Sequence, residues 1–163
     1  MGNSFSRMVI HTVFSTRYRQ KLITPDIEDS LLRLLVADLK RNNSHTLAIN
    51  AVSDHVHIVH TLPRTMAVSN LIMDCKKWST RNLKQLHPEL RDSFYWQTGY
   101  AAFTVDYRRL DGLIRYVQNQ KAHHNSDHPK AKFTEELVWL LEMYGIQFKA
   151  EYVFEYPDLP RAA

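Results

Sequence analysis

Residues 54–59 read Asp-His-Val-His-Ile-Val, a β-branched run with two histidines two positions apart. Branching at Cβ favours an extended backbone, and successive side chains of a strand point to opposite faces. His55 and His57 therefore share one face, and Val56 and Ile58 share the other. The apolar face has to be covered by helices, while the other face aims two imidazoles at a common point. Such a pair suits a transition-metal ion and leaves coordination positions open for a further ligand, a water or a substrate oxygen. Two half-exposed strand histidines without a metal would look the same, so the rest of the chain has to supply a third ligand, a reacting group and a binding surface.

The flanking segments alternate between the periods of strands and helices. Phe5 to Phe14 reads as a strand, with Met8, Ile10, Thr12 and Phe14 on one side and Val9, His11 and Val13 on the other. A basic connector with Arg17, Arg19 and Lys21 follows, either a solvated loop or a phosphate contact. Thr24-Pro25-Asp26 opens a helix: a capping hydroxyl, proline in the first turn and then an acid. Ile27, Leu31, Leu34, Leu35 and Leu39 form its apolar stripe, and Asn42-Asn43-Ser44 ends it. His45 to Val52 is a second strand, joined through the Ser53-Asp54 turn to the histidine strand, His55 to Thr61. Pro63 breaks that strand, and Val68 to Leu86 reads as a helix with Leu71, Ile72, Cys75 and Trp78 inward.

Lys76, Lys77 and Arg81 fall on the other side of this second helix, a basic ridge with Trp78 beside it. The aromatic run Phe94-Tyr95-Trp96 can stack on nucleic-acid bases or fill the core. Tyr100 to Val105 is a fourth strand. Strand, helix, strand, strand, helix, strand is the α+β, ferredoxin-like (RRM-like) pattern: an antiparallel four-stranded sheet with two helices on one face. The other sheet face, with His55 and His57, is left free, and further helices follow at the C-terminus.

A chain of 163 residues suits one domain spanning residues 1–163, with a core over about 5–148 and a tail over 149–163. The single cysteine, Cys75, excludes an internal disulfide framework and fits a reducing, cytoplasmic setting. No stretch approaches the ~20 apolar residues of a membrane span. Four glycines occur, none in a Walker-type or dinucleotide loop, which argues against nucleotide hydrolysis and a nucleotide cofactor. A net charge of +4 permits a phosphate-bearing partner without requiring one.

Asp106 to Asn125 reads as a helix whose core side carries Leu110, Leu113, Ile114 and Val117. Arg109, Gly112, Tyr116, Gln120 and His123 form the adjacent stripe. Tyr116 and Gln120, four apart, can reach the same point. Gln120 offers a carbonyl oxygen as a third metal ligand, and Tyr116 offers a phenol that can attack phosphorus. His123 is a candidate accessory ligand or acid–base group on the same stripe, while His124 lies nearer the core side. From Phe133 a last helix carries Leu137, Val138, Leu140, Leu141 and Tyr144, with Gly145 as its stop.

Several of these segments together resemble the single-tyrosine HUH transposases of the insertion sequence 200 type. They are His11-Thr12-Val13-Phe14-Ser15-Thr16-Arg17, Asp54-His55-Val56-His57, Lys76 through Arg81, Tyr95-Trp96-Gln97-Thr98-Gly99-Tyr100, Tyr116-Val117-Gln118-Asn119-Gln120 with His123-His124, and Phe133-Thr134-Glu135-Glu136. The resemblance runs in order over residues 5–148. It implies cleavage and joining of single-stranded DNA near hairpins through a 5′-phosphotyrosine. It places the metal ligands on His55, His57 and Gln120 and the nucleophile on Tyr116. It also implies a divalent ion, Mg²⁺ or Mn²⁺, and a homodimer whose composite sites join the histidines of one chain to the tyrosine of the other. Arg17, Arg19, Lys76, Lys77, Trp78, Arg81 and Trp96 are the candidate DNA contacts. Two other functions compete: a non-catalytic nucleic-acid-binding module on the same fold, and a metal phosphodiesterase that uses water and leaves Tyr116 structural.

Overall fold

The structure is a computed structural model that describes residues 3–124 and 132–153. Strand β1 (Val9–Ser15) leads through a short 3-10 turn to helix α1 (Pro25–Arg41), then to β2 (Thr46–Ala51) and β3 (His55–Thr61). Helix α2 (Val68–Leu86) and strand β4 (Ala101–Thr104) complete the first six elements. Beyond them lie α3 (Leu110–Gln118), α4 (Gln120–His124), α5 (Phe133–Met143) and α6 (Ala150–Val153). The strands pair antiparallel in the order β2-β3-β1-β4, so the α+β ferredoxin-like arrangement expected from the element order is the one observed. The first strand starts four residues later than its alternation suggests; Phe5 and Met8 are exposed.

Parity along β3 sorts the two sides of the sheet. Val56 and Ile58 join Phe14, Leu31, Leu35, Leu71, Ile72 and Leu83 in the core beneath α1 and α2. Phe94 and Trp96, from the aromatic run, close the same core; their rings meet Phe14 or each other edge-on at 4.8 and 5.1 Å. Cys75 is buried there too, and burial pushes its thiol pKa up, which suits packing rather than reactivity.

The second sheet face, which the element order left free, is covered by the C-terminal helices. Val9, Ala48 and Val59 pack under Leu110 and Val117 of α3, while Val13 and Phe103 pack under Phe133, Leu137, Leu140 and Leu141 of α5. The stretch expected as one helix from Asp106 to Asn125 is broken. A 3-10 turn covers Tyr107–Arg109, and α3 stops at Gln118 before α4 begins at Gln120. The break has a partner: Asn50, opposite His57 on β2, donates from Nδ2 to the carbonyls of Val117 (3.0 Å) and Gln118 (2.9 Å). Those carbonyls are among the ones a helix C-terminus leaves unpaired. At the other end Asp106 caps the turn by accepting from the Arg108 N–H. Helix α5 ends as expected, with Gly145 at φ 65° in the left-handed region.

His60 faces the α1/α2 side, as parity requires. Its ring bonds the hydroxyls of Thr12 (2.9 Å) and Ser44 (3.2 Å). Burial holds its pKa below the ordinary value of 6.5, and burial, then His57, pushes that of His11 down to about 3. The unfolded chain takes up protons near pH 6.5 that these folded imidazoles refuse, so stability is lost as pH falls below 6.5. Each such histidine costs up to about 1.4 kcal/mol per pH unit in that range. In metal-free protein the urea midpoint should fall between pH 7 and pH 5.5, and His60→Asn should flatten that fall.

Candidate active site

The row of odd-numbered residues on β3 lies in the seam between the areas covered by α3 and α5. His55 and His57 are buried, with ring centroids 5.2 Å apart. Each has its Nδ1 engaged: His55 Nδ1 lies 2.7 Å from Asp54 Oδ1, and His57 Nδ1 lies 3.0 Å from His11 Nε2. A carboxylate at Nδ1 holds the proton there and leaves the Nε2 lone pair exposed, the tautomer that a metal ligand needs. At His57 the same tautomer has Nδ1–H donating to His11. Burial lowers the pKa of His57, which keeps it neutral and able to ligate.

Gln120, the first residue of α4, is fully buried, and its Nε2 donates to Glu136 Oε1 at 3.0 Å. Among the described residues its Oε1 has no hydrogen-bond partner, and neither has Nε2 of His55 or Nε2 of His57. Unpaired buried polar atoms are costly and rare. Three of them here, two imidazole nitrogens and one amide oxygen, are a donor set that fits a divalent cation.

Tyr116 stands on α3 with its ring centroid 6.1 Å from that of His57, and its hydroxyl donates to Glu136 Oε1. Burial, reinforced by the negative charge of Glu136, pushes its pKa well above the usual phenol range. Glu136, fully buried on α5, is the hub. Its Oε2 lies 2.9 Å from His124 Nε2 and 3.5 and 3.4 Å from the Nε2 atoms of His55 and His57. The two longer contacts lie beyond good hydrogen-bond distance and leave the strand nitrogens unsatisfied. Burial by itself raises the Glu136 pKa, but His124, His55 and His57 outweigh it and hold the carboxyl well below the usual range. Ligand atoms of His55, His57, His124 and Glu136 all lie within 4.8 Å of one another.

A family model described as Transposase IS200 like matches residues 4–120. The chain belongs to that family. Among curated proteins, this IS200-like transposase is similar to the ISDra2 transposase TnpA of Deinococcus radiodurans, 20% identical over 114 residues, which cover 68% of this chain and 81% of the relative. Among solved structures it resembles a candidate transposase from Deinococcus radiodurans R1, with a TM-score of 0.61 and 20% identity over 74% of this chain and 96% of that one. It also resembles a REP-associated tyrosine transposase bound to a REP hairpin, with a TM-score of 0.57 and 15% identity over 100% of this chain and 98% of that one.

Of the site residues expected in this IS200-like transposase, His55, His57, Tyr116 and Gln120 meet at one point of one chain. The resemblance implies a site shared between two chains; in the single chain described, Tyr116, His55 and His57 all contact Glu136. Two residues of the cluster were not among the expected site residues. Glu136 had a readable signal: a carboxylate three residues after Phe133 and four before Leu140, on the apolar stripe of α5. His124, set aside in favour of His123, is the histidine that reaches the cluster; the His123 side chain lies outside the described residues.

The expected DNA contacts divide. Trp96 is 9% exposed, and its indole N–H donates to Ser79 Oγ at 3.1 Å, so it is a core residue and has no face for a base. Lys76 donates to the carbonyls of Gln97 (2.9 Å) and Gly99 (2.5 Å) and fastens the loop before β4. Trp78 is half-buried under the Arg41 guanidinium, 5.3 Å from its ring. Lys77 and Arg81 are exposed, but on α2, across the sheet from the histidines. Arg17 lies over the Tyr18 ring. Arg19 lines a cavity of about 600 Å³ that reaches His124 and Phe133 and also holds Lys21, Lys121 and Lys132. Tyr18 and Arg19 both have φ of 55°, a left-handed backbone that non-glycine residues adopt only under constraint. Thr16 supplies it, with its N–H and hydroxyl bonded to the Asp54 carbonyl. This cavity was illegible in sequence because its cations come from the β1–α1 connection, from α4 and from the segment before α5, and it also holds two carboxylates, Asp54 and Glu28, the latter paired with Lys121 at 2.7 Å.

A divalent cation bound at the orphaned donors should stabilise the fold. Saturation at about 100 Kd of Mn²⁺ or Mg²⁺ corresponds to about 2.7 kcal/mol and a melting shift on the order of 5–10 °C for a chain of this size. Thermal melts with and without EDTA should show it, and His57→Ala should abolish it.

Proposed function

We propose that the chain cleaves and rejoins single-stranded DNA beside hairpins, with Tyr116 as the nucleophile and a divalent ion held by His55, His57 and Gln120. One observation carries the reading: the Tyr116 hydroxyl, the Gln120 amide and the Nε2 atoms of His55 and His57 all converge on the buried carboxylate of Glu136. Binding alone requires no nucleophile there. The hairpin in the REP-associated relative supports hairpin recognition by this chain.

In this mechanism the Tyr116 oxygen attacks the scissile phosphorus while its proton passes to Glu136 Oε1, the oxygen it already faces, so that no free phenolate forms in a site that disfavours one. A new P–O bond forms to the tyrosine, and the bond to the 3′ oxygen breaks. The leaving 3′ oxygen takes up the proton, so a 5′-phosphotyrosine and a free 3′-OH result. One phosphodiester replaces another, and rejoining is the same step in reverse, which requires no nucleotide energy source. The divalent ion, when bound, neutralises charge on the phosphate and orients it. Imidazole nitrogen donors favour Mn²⁺ intrinsically, although the abundance of Mg²⁺ in cells favours that ion. His124 holds Glu136 Oε2, while Oε1 accepts from both Tyr116 and Gln120. The basic cavity of Arg19, Lys21 and Lys132 carries the DNA backbone toward this point.

A labelled library of single-stranded hairpins, incubated with Mn²⁺ and resolved on a denaturing gel, tests the reading. The wild type should form a covalent adduct and Tyr116→Phe none. Glu136→Gln should slow adduct formation by about 10²–10⁴-fold, the usual contribution of a positioned base. Cleavage without any adduct would point to the water-using phosphodiesterase instead.

The site is self-contained in this proposal. Mixing His57→Ala with Tyr116→Phe protein should therefore restore no activity, even where tag pull-down proves subunit exchange. Recovery to a fraction of wild type would establish composite sites.

A further inference from the structure

A second cavity is lined in part by Tyr116 and shares no lining residue with the one that holds Arg19. It lies between α3 and α5, has a volume of about 550 Å³, and is floored by His11. Its chemistry differs from that of the basic cavity. One wall is Trp139, Met143 and Tyr144 of α5 and its cap, two aromatic rings and a thioether. Met143 is 50% and Tyr144 41% exposed, so this wall is open to an entering ligand. Tyr144 is held in place by its hydroxyl, which donates to the Thr104 carbonyl at 3.1 Å, and by its ring, 4.7 Å from that of Phe103. Arg109 and Asp106 bring polar groups to the rim.

The opposite wall contains Gly112, one helical turn before Tyr116. Glycine weakens a helix interior relative to alanine. Among the described residues nothing forces glycine here: its φ is not in the left-handed region, and a Cβ built on it meets none of their atoms within 4 Å. The missing side chain leaves open space instead. Helical side chains lean toward the N-terminus, so the turn preceding Tyr116 is where the phenol and anything bound against it project.

We infer that this cavity is a nucleobase subsite, taking one unstacked base of a single-stranded DNA next to the phosphodiester that Tyr116 faces. The inference rests on the reading of Tyr116 as the group that meets the DNA strand. An aromatic wall takes the face of a base, the rim groups meet its polar edge, and the absent Gly112 side chain makes room for it. Tyr116 lines the cavity, so a base seated there places its own backbone beside the nucleophile. Base pairs hide these faces, so the subsite selects single-stranded over double-stranded DNA without reading sequence.

The test is equilibrium binding in EDTA, where no cleavage intervenes. The probes are a fluorescein-labelled random DNA tetramer and an abasic tetramer with the same phosphates. Wild type should bind the random tetramer about 10- to 100-fold more tightly than the abasic one, the range for stacking of one base. Gly112→Leu, which fills the space, should abolish that ratio and leave the abasic affinity and the Mn²⁺ melting shift unchanged. Should Gly112→Leu melt early, Met143→Ala, which strips a half-exposed wall, must lower the ratio instead. Equal affinities in the wild type would overturn the inference, as would a ratio untouched by both variants. Tyr116→Phe should keep the ratio although it forms no adduct. Failure of the adduct assay thus sinks the nuclease reading, and failure of the ratio sinks the subsite.

Discussion

The buried carboxylate of Glu136 is the interaction on which the second side of this molecule depends. It meets a tyrosine hydroxyl, an amide and three imidazoles, supplied by β3, α3 and α4. A buried carboxylate with a single partner would be destabilising, because desolvation outweighs one contact. Here the partners are several, and none is a full counter-charge in the neutral imidazole state. That arrangement tolerates the anion in a way that a cation would complete. The apolar contacts on either side, α3 on Val9 and Val59 and α5 on Val13 and Phe103, hold the polar seam closed. The chemistry thus sits where two hydrophobic surfaces meet, rather than on an open sheet.

The sheet works as a divider. Its even-numbered β3 residues belong to a conventional core under α1 and α2, and its odd-numbered ones to the reactive seam. A shift of one residue in the pairing of β3 would exchange the two sets, placing imidazoles in the hydrophobic core. His60 tests the rule from the other side: it falls on the core face and is accommodated there by two hydroxyls. The residue opposite His57 on β2, Asn50, then fixes the end of α3 through two carbonyls, so sheet register also sets where the tyrosine stands.

Most of the first six elements were legible, because each has its own period and its own stop signals. The bounds of β3 and α2 come out as read. Where the reading failed, a contact from far along the chain had intervened. Trp96 looked like a stacking platform, yet Ser79, Phe14 and Phe94 bury it. Lys76 looked like a phosphate ligand, yet its ammonium answers two carbonyls of the loop before β4. The break between Tyr116 and Gln120 has no helix-breaking residue of its own; Asn50 supplies the reason.

Residue order and parity alone determined that His55 and His57 share a face, that Tyr116 and Gln120 lie within a turn of each other, and that the strands form a split βαβ sheet. These are consequences of backbone geometry over a few residues, and local geometry is written in local sequence. Tertiary structure decided that the two pairs converge on Glu136, that His124 joins them there, and that one cavity opens beside His124 and a separate, aromatic one beside Tyr116. Those facts depend on how α3, α4 and α5 return to the sheet. That return is a balance of apolar contacts and one buried carboxylate between stretches far apart in sequence, which no window of a few residues contains.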